Sequence, residues 1–226
     1  MSEPSNPALR ERSSGKLDEL LAEAERAHGH LCAGQVLGVR MAMLGLRLLN
    51  LPDPRADRDA RKRIVTFVEI DRCATDAIAV VTACRLGKRA LKFRDWGKMA
   101  ATFVDLGAGA AEKPPQPDFS GERAVRIAAL ESSKDRAQQL YPELEKNAAQ
   151  MRAYRELPDD ELFTTQWVRV PLGPEEMPGF KAARISCVRC GEGISYARQV
   201  QTPAGETLCQ PCADASLQYW QPVSHE

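Results

Sequence analysis

"RIVTFVEIDRCATDAIAVVTACRLGKRALKFRD", residues 63–95, decides the fold. It opens on RIVTFVEI, a β-branched and alternating run that reads as a strand. TDAIAVVTACRLG follows as a short helix, with Thr75 placed to cap its start and Gly87 to end it. RALKFRD then returns as strand. A strand, a helix and a strand in so short a span imply a sheet with helices packed on it.

Upstream, KLDELLAEAERAHGH is a helical pattern with Leu17, Leu20, Leu21 and Ala24 on one face. GQVLGVRMAMLGLRLLN is a second helix, with Leu37, Met41, Leu44 and Leu48 in register, stopped by Asn50 and Pro52. PDPRADRDARKR reads as a charged loop. Downstream, AATFVDL and ERAVRIAA are strands separated by the Gly/Pro-rich loop 107–121. SKDRAQQLYPELEKNAAQMRAYREL is helical, with Pro142 forcing a break or a fresh first turn, and TTQWVRV is the last strand. The expected fold class is α+β with a mixed sheet. Its parts are a disordered tail over 1–15, a core over 16–170, a linker over 171–183 and a separate module over 184–226.

The totals narrow the function. The chain has 226 residues, enough for one sizeable domain and an appendage. Lys and Arg number 31, and so do Asp and Glu, so no net field draws the protein to nucleic acid or an anionic membrane. The longest apolar stretch carries arginines at helical spacing and is too short to span a bilayer. The first residues lack an apolar signal-peptide core. Seven cysteines, an odd number with two CxxC pairs, argue against a secreted disulfide scaffold and for a cytoplasmic protein with metal-bound thiolates.

Four of those cysteines fall in the last forty residues. Cys187 and Cys190 form one CxxC, Cys209 and Cys212 another, with eighteen residues between them. Each CxxC turn aims two thiolates at one point, so two supply the tetrahedral sulfur set that Zn²⁺ prefers. ISYARQV and ETL can form a hairpin around TPAG, and ADASLQYW can start a helix, giving a treble-clef-like or ribbon-like zinc finger. The stretch after Cys212 has no Lys or Arg, which disfavours a DNA-reading helix although Arg184, Arg189 and Arg198 lie nearby. A protein-contact or dimer-stabilising role fits better.

The other concentration of ligands is HGHLCAG, residues 28–34. His28, His30 and Cys32 stand at alternate positions between two helices, and in an extended turn they share one side. Imidazole and thiolate suit Zn²⁺ and other late transition metals. The bland alternatives are helix-end histidines beside a dipole and a small buried thiol. Cys73 sits between a strand and a helix N-terminus, which favours thiolate. Asp76 could be a ligand, a partner that orients a histidine, or a first-turn carboxylate. Cys84 could face the cluster or fill the core. Lys88, Lys92, Trp96 and Lys98 could close over the site or form an ordinary amphipathic hairpin.

HGHLCAGQVLGVR, then VEIDRCATDAIAVVTACRLGKRALKFRDWGKMAATFVD, and the tail LPDDELFTTQWVRVPL with the four-cysteine segment resemble the family of the formylmethanofuran dehydrogenase E-type subunits over roughly residues 16–215. The resemblance implies an α-β-α-β-β-β core, a homodimer, and a metal near the HGHxC turn. One departure is Ala33, where the family usually has proline; no ligand is lost by it.

Three functions follow. The first is a metal-binding accessory protein, partnered by a molybdenum or tungsten oxidoreductase, with zinc in the finger and a second zinc or late transition metal in the core. The second is a metal-dependent enzyme with an open coordination position, or one using Cys32 as a nucleophile activated by a histidine. The third, a finger-based transcription regulator, is disfavoured by the zero net charge. No pterin, flavin or nicotinamide motif is present; GAGAA lacks the full dinucleotide fingerprint.

Overall fold

The computed structural model of the chain describes residues 7–107 and 123–223. Three helices lead: α1 (Pro7–His28), α2 (Ala33–Leu48) and the short α3 (Arg58–Arg63). Next come β1 (Ile64–Val68), α4 (Cys73–Thr82), β2 (Leu91–Phe93), β3 (Ala100–Asp105) and β4 (Ala124–Ala129). Three helices, α5 (Ser132–Leu140), α6 (Lys146–Glu156) and α7 (Asp159–Leu162), precede β5 (Phe163–Val168). The C-terminal module contains β6 (Ile185–Ser186), β7 (Gly193–Ile194), β8 (Val200–Gln201), β9 (Thr207–Leu208) and α8 (Gln210–Ala213).

Several boundaries differ from the sequence reading. The expected tail is helical from Pro7 onward; its first six residues lie outside the described residues. The expected charged loop holds α3, because the Asp57 carboxylate accepts from the N–H groups of Asp59 and Ala60 at 2.8 and 2.9 Å. α4 starts at Cys73, not Thr75, whose hydroxyl instead donates back to the Ile70 carbonyl. It ends at a left-handed Ala83 (φ 56°), four residues before Gly87. The expected loop at 107–121 lies outside the described residues from 108 onward.

The sheet order is β2-β1-β3-β4-β5. β1 and β2 run parallel, with Thr66 opposite Leu91, and the other pairs are antiparallel. A parallel pair needs a crossover, which α4 supplies. The sheet is therefore mixed and the fold α+β, as the sequence implies. Ile64, Val68, Ala101, Phe103, Val125 and Ile127 join the helices in the main core. On the opposite face Val65, Phe67, Val104 and Ala124 pack with Leu172 and Met177. Burial of both faces explains why IVTFV is continuously enclosed rather than alternating. The segment expected as a linker thus supplies part of a second layer.

α2 is the centre of the helical layer. It packs against α1, α4, α6, β3 and β4, so its more-than-one apolar face is used within the chain. Two arginines make side-on forks to enclosed carboxylates. Arg63 donates from Nε and Nη2 to the two oxygens of Asp105 at 3.0 and 2.8 Å. Arg126 does the same to Glu69 at 2.7 and 2.6 Å. No helix among the described residues is long and apolar enough to cross a membrane.

Candidate metal centre

α1 closes at Gly29, whose N–H donates to the Glu25 carbonyl at 2.7 Å. Gly29 then takes φ 97°, a conformation that glycine adopts without the Cβ penalty. That turn brings His30 back beside His28, with ring centroids 4.7 Å apart. His28 is the last helical residue, so only His30 and Cys32 belong to the short connection before α2. The alternation argument holds for those two, and His28 arrives from the helix end instead. One ligand atom from each of His28, His30 and Cys32 lies within 4.8 Å of the others.

The sequence places Cys73 near by, and the structure does so through a close helix contact. A Cβ at Gly34 would lie 3.3 Å from the Cys73 Cβ and 3.7 Å from the Cys32 Sγ. At Gly38 it would lie 2.5 Å from the Ala74 carbonyl oxygen. The two glycines let α2 press onto the first turn of α4. Cys73 is not within the tight three-residue group. Burial first, and then the neighbouring Cys32 thiol, push the Cys73 thiol above the usual range.

Asp76 orients a histidine: its Oδ2 lies 2.8 Å from His28 Nδ1. With Nδ1 engaged, Nε2 is the nitrogen left to ligate. Cys84 is a core residue, 1% exposed and 3.5 Å from the Thr66 hydroxyl. It follows the far end of α4, about 16 Å from Cys73 at 1.5 Å per residue. None of Lys88, Lys92, Trp96 and Lys98 lines the cleft beside the cluster. Lys98 lies over the Trp96 ring, and Lys92 donates to the Glu176 carbonyl on the opposite side of the sheet. The cleft beside the cluster, about 360 Å³, is lined by His28, Asp71, Arg72, Cys73, Thr75 and Asp76.

Sequence reasoning missed four contributors. Asp71 and Arg72 line the cleft. Gln35, fully buried, donates from Nε2 to the Cys73 carbonyl at 2.8 Å. Asn147, from α6, accepts from the Ala33 N–H at 3.2 Å and so caps α2 from outside. A glutamine on the apolar face of α2 was the one available signal.

The second centre is the finger. Sulfurs of Cys187, Cys190, Cys209 and Cys212 all lie within 4.8 Å of one another, and all seven cysteines are free thiols. Gly191, at φ 78°, returns its N–H to the Cys187 carbonyl and closes the first knuckle. The Ala213 N–H does the same for Cys209 in the second. Backbone N–H groups of Cys190 and Cys209 hold the Cys187 thiol down to about 6. The Cys209 thiol, then burial, push Cys212 up to about 12. The β8–β9 hairpin forms where the sequence implies it, whereas the expected helix is the single turn α8 followed by a 3₁₀ turn. This module can hold a metal ion.

Known proteins agree with this architecture. The model of the family described as "FmdE, Molybdenum formylmethanofuran dehydrogenase operon" matches residues 27–165. A "Probable S-adenosyl-L-methionine-binding protein" of Archaeoglobus fulgidus is 31% identical over 209 residues. That alignment covers 88% of this chain and 53% of the relative, so the chain spans about half the length of the curated relative it matches. The crystal structure of a tungsten formylmethanofuran dehydrogenase FmdE-like protein from Syntrophus aciditrophicus superposes with a TM-score of 0.54 at 20% identity. It covers 89% of this chain and 94% of that one, a likeness of fold.

Proposed function

This chain belongs to the FmdE family, and from that premise we propose that it binds a transition metal at the His28–His30–Cys32 turn, beside a structural zinc in the finger. The carrying observation is the convergence of three ligand atoms within 4.8 Å. Two imidazoles and a thiolate form a borderline donor set suited to zinc or another late transition metal. Asp76 fixes one imidazole, as partners of metal-ligating histidines do. Cys73, pressed beside Cys32, is the fourth candidate. A three-ligand set leaves a position for an exchangeable ligand, whereas four thiolates close the finger. When bound, such a metal supplies Lewis acidity at that position.

An accessory role beside a molybdenum or tungsten oxidoreductase is supported by the operon named in the family description. A homodimer is part of the same proposal. A second reading, a metal-dependent enzyme, is favoured by the cleft that reaches His28 and Cys73. There Asp71, Arg72 and Asp76 could hold a small polar ligand. A metal-free version would use Cys32 as nucleophile and His28, oriented by Asp76, as base.

Metal analysis of the intact chain distinguishes these readings. Two metal equivalents are expected per chain, falling to one in Cys32→Ser and to one in Cys209→Ser. Cys73→Ser lowers core metal retention under the metal reading and leaves it unchanged under the nucleophile reading. Unchanged metal content in Cys32→Ser overturns the core site.

A further inference from the structure

Arg89 stands at the far end of the β1–α4–β2 crossover from Cys73, in the left-handed region at φ 60°. Its guanidinium lies over the Tyr196 ring of the finger, 4.2 Å from the centroid, with Phe180 at 6.0 Å. These rings meet the face of the guanidinium and leave its edge unsatisfied. Two edge atoms, Nε and Nη2, are buried and have no hydrogen-bond partner among the described residues. They are the same two atoms with which Arg63 grips Asp105 and Arg126 grips Glu69. Arg55 holds Asp53 through the same pair, so Arg89 presents the fork that this protein uses for carboxylates at Arg55, Arg63 and Arg126, with no carboxylate in it.

The surroundings are cationic. Lys92, the second residue of β2, donates to the neutral Glu176 carbonyl rather than to a carboxylate. The Glu176 carboxylate is taken by Arg94. Burial, and next the charge of Arg89, push the Lys92 ammonium down to about 8, with Arg198 and Arg94 acting in the same direction. Lys92 thus lies among cations, with the Glu176 carboxylate already engaged by Arg94. An uncompensated charge with orphaned donors is costly to bury unless an anion completes it.

We propose that Arg89, with Lys92 near it, forms an anion site at the junction of core and finger, built for a small molecule that presents two oxygens of a carboxylate or phosphate. Such an oxyanion takes both edge donors of Arg89 and offsets the charge of its neighbours. Because Tyr196 covers the same guanidinium, binding also ties the finger to the core. The site is independent of the His28–Cys32 cluster.

The test is calorimetric titration of the intact, metal-loaded chain with inorganic phosphate and, separately, with malonate, in a low-salt buffer. Saturable one-to-one binding is expected for at least one probe, and the stronger probe identifies the ligand class. Arg89→Lys keeps the charge over Tyr196 but loses the fork, and should bind about ten- to a hundredfold more weakly. Arg136→Gln, in an exposed pair with Glu161, should bind as wild type. In ¹⁵N spectra of the unaltered chain, one arginine Nε–H signal, missing in Arg89→Lys, should shift with the probe. Failure of the unaltered chain to bind either anion overturns the proposal. So does unchanged affinity in Arg89→Lys.

Discussion

His28 Nδ1 and Asp76 Oδ2 meet at 2.8 Å across 48 positions of sequence, joining the end of α1 to the first turn of α4. This contact occupies Nδ1 and leaves Nε2 as the nitrogen free to ligate. Removing it should loosen the ligand rather than the fold, because the Asp76 side chain is 56% exposed. Asp76→Ala is expected to weaken core metal binding by about ten- to a hundredfold. The cost in stability should be below about 0.5 kcal/mol. Competition against a chromophoric chelator measures the first, and thermal unfolding the second. Equal chelator competition in Asp76→Ala and wild type would remove Asp76 from the site.

At Gly38 the α2 backbone comes close to α4. An added methyl would meet the Ala74 backbone at 2.5 and 2.8 Å, where nothing flexible can give way. Gly38→Ala should destabilise the chain by about 1–3 kcal/mol. It should also separate Cys32 from Cys73 and lower core metal retention. Gly87→Ala meets nothing within 4 Å and serves as the control. A wild-type denaturation midpoint in Gly38→Ala contradicts this account.

The finger has almost no core beyond its four cysteines. Among its buried residues only Cys187, Ile194 and Leu208 form a cluster. Its fold should therefore depend on the ion, as small metal modules do. Stripping with a strong chelator should abolish hydrogen-exchange protection across 185–213. β1, β3 and β4, buried in the main sheet, should remain protected. Retained protection in the finger would mean that the cysteines are not its stabilising centre.

The pattern of residues made the main elements legible. IVTFV, AATFVD and AVRIAA are apolar runs whose strand character survives in the fold because burial and propensity agree. The four finger cysteines were legible because CxxC constrains two ligands locally. What escaped detection depends on contacts distant in sequence. Asn147 caps α2 across 114 residues, and nothing local announces it. The pairing of Asp76 with His28 is likewise invisible until α4 is laid against α1. Thr75 misled because its hydroxyl has a competing carbonyl, that of Ile70. At Cys73, burial and the neighbouring Cys32 thiol oppose the helix N-terminus that the sequence offers.

Acid should act first where α1 is tied to the loop after α2. Burial raises the Asp53 carboxyl, but hydrogen bonds from the Arg55 side chain and backbone and from Lys16 outweigh it and hold it below the usual carboxylate range. Arg55 also reaches Glu19 and Glu23, at 3.1 and 2.7 Å. A carboxyl whose folded pKa is depressed contributes stability above its unfolded value, near 3.8, and loses it as pH falls further. Wild type should therefore lose on the order of 1–2 kcal/mol more than Arg55→Met when pH drops from 5 to 3. Urea unfolding at the two pH values measures the difference. Parallel losses would show that the cluster is energetically neutral.

β5 is the last strand of the sheet, and its outer edge has no strand beside it among the described residues. Thr164, Thr165, Gln166 and Trp167 are exposed, and the Trp167 indole is 60% exposed. Open edges of this length are normally shortened, charged or covered. α2 is packed on several sides by elements of its own chain. The edge is then where a second copy would pair, strand against strand, with Trp167 contributing the largest apolar area. Trp167→Lys should convert such a dimer to monomer without shifting the core, because Trp167 is 60% exposed and belongs to neither core cluster of the main sheet. Light scattering at micromolar concentration reads the mass, and circular dichroism checks the fold. A monomeric wild type refutes the dimer, and a dimeric Trp167→Lys refutes this edge as its contact.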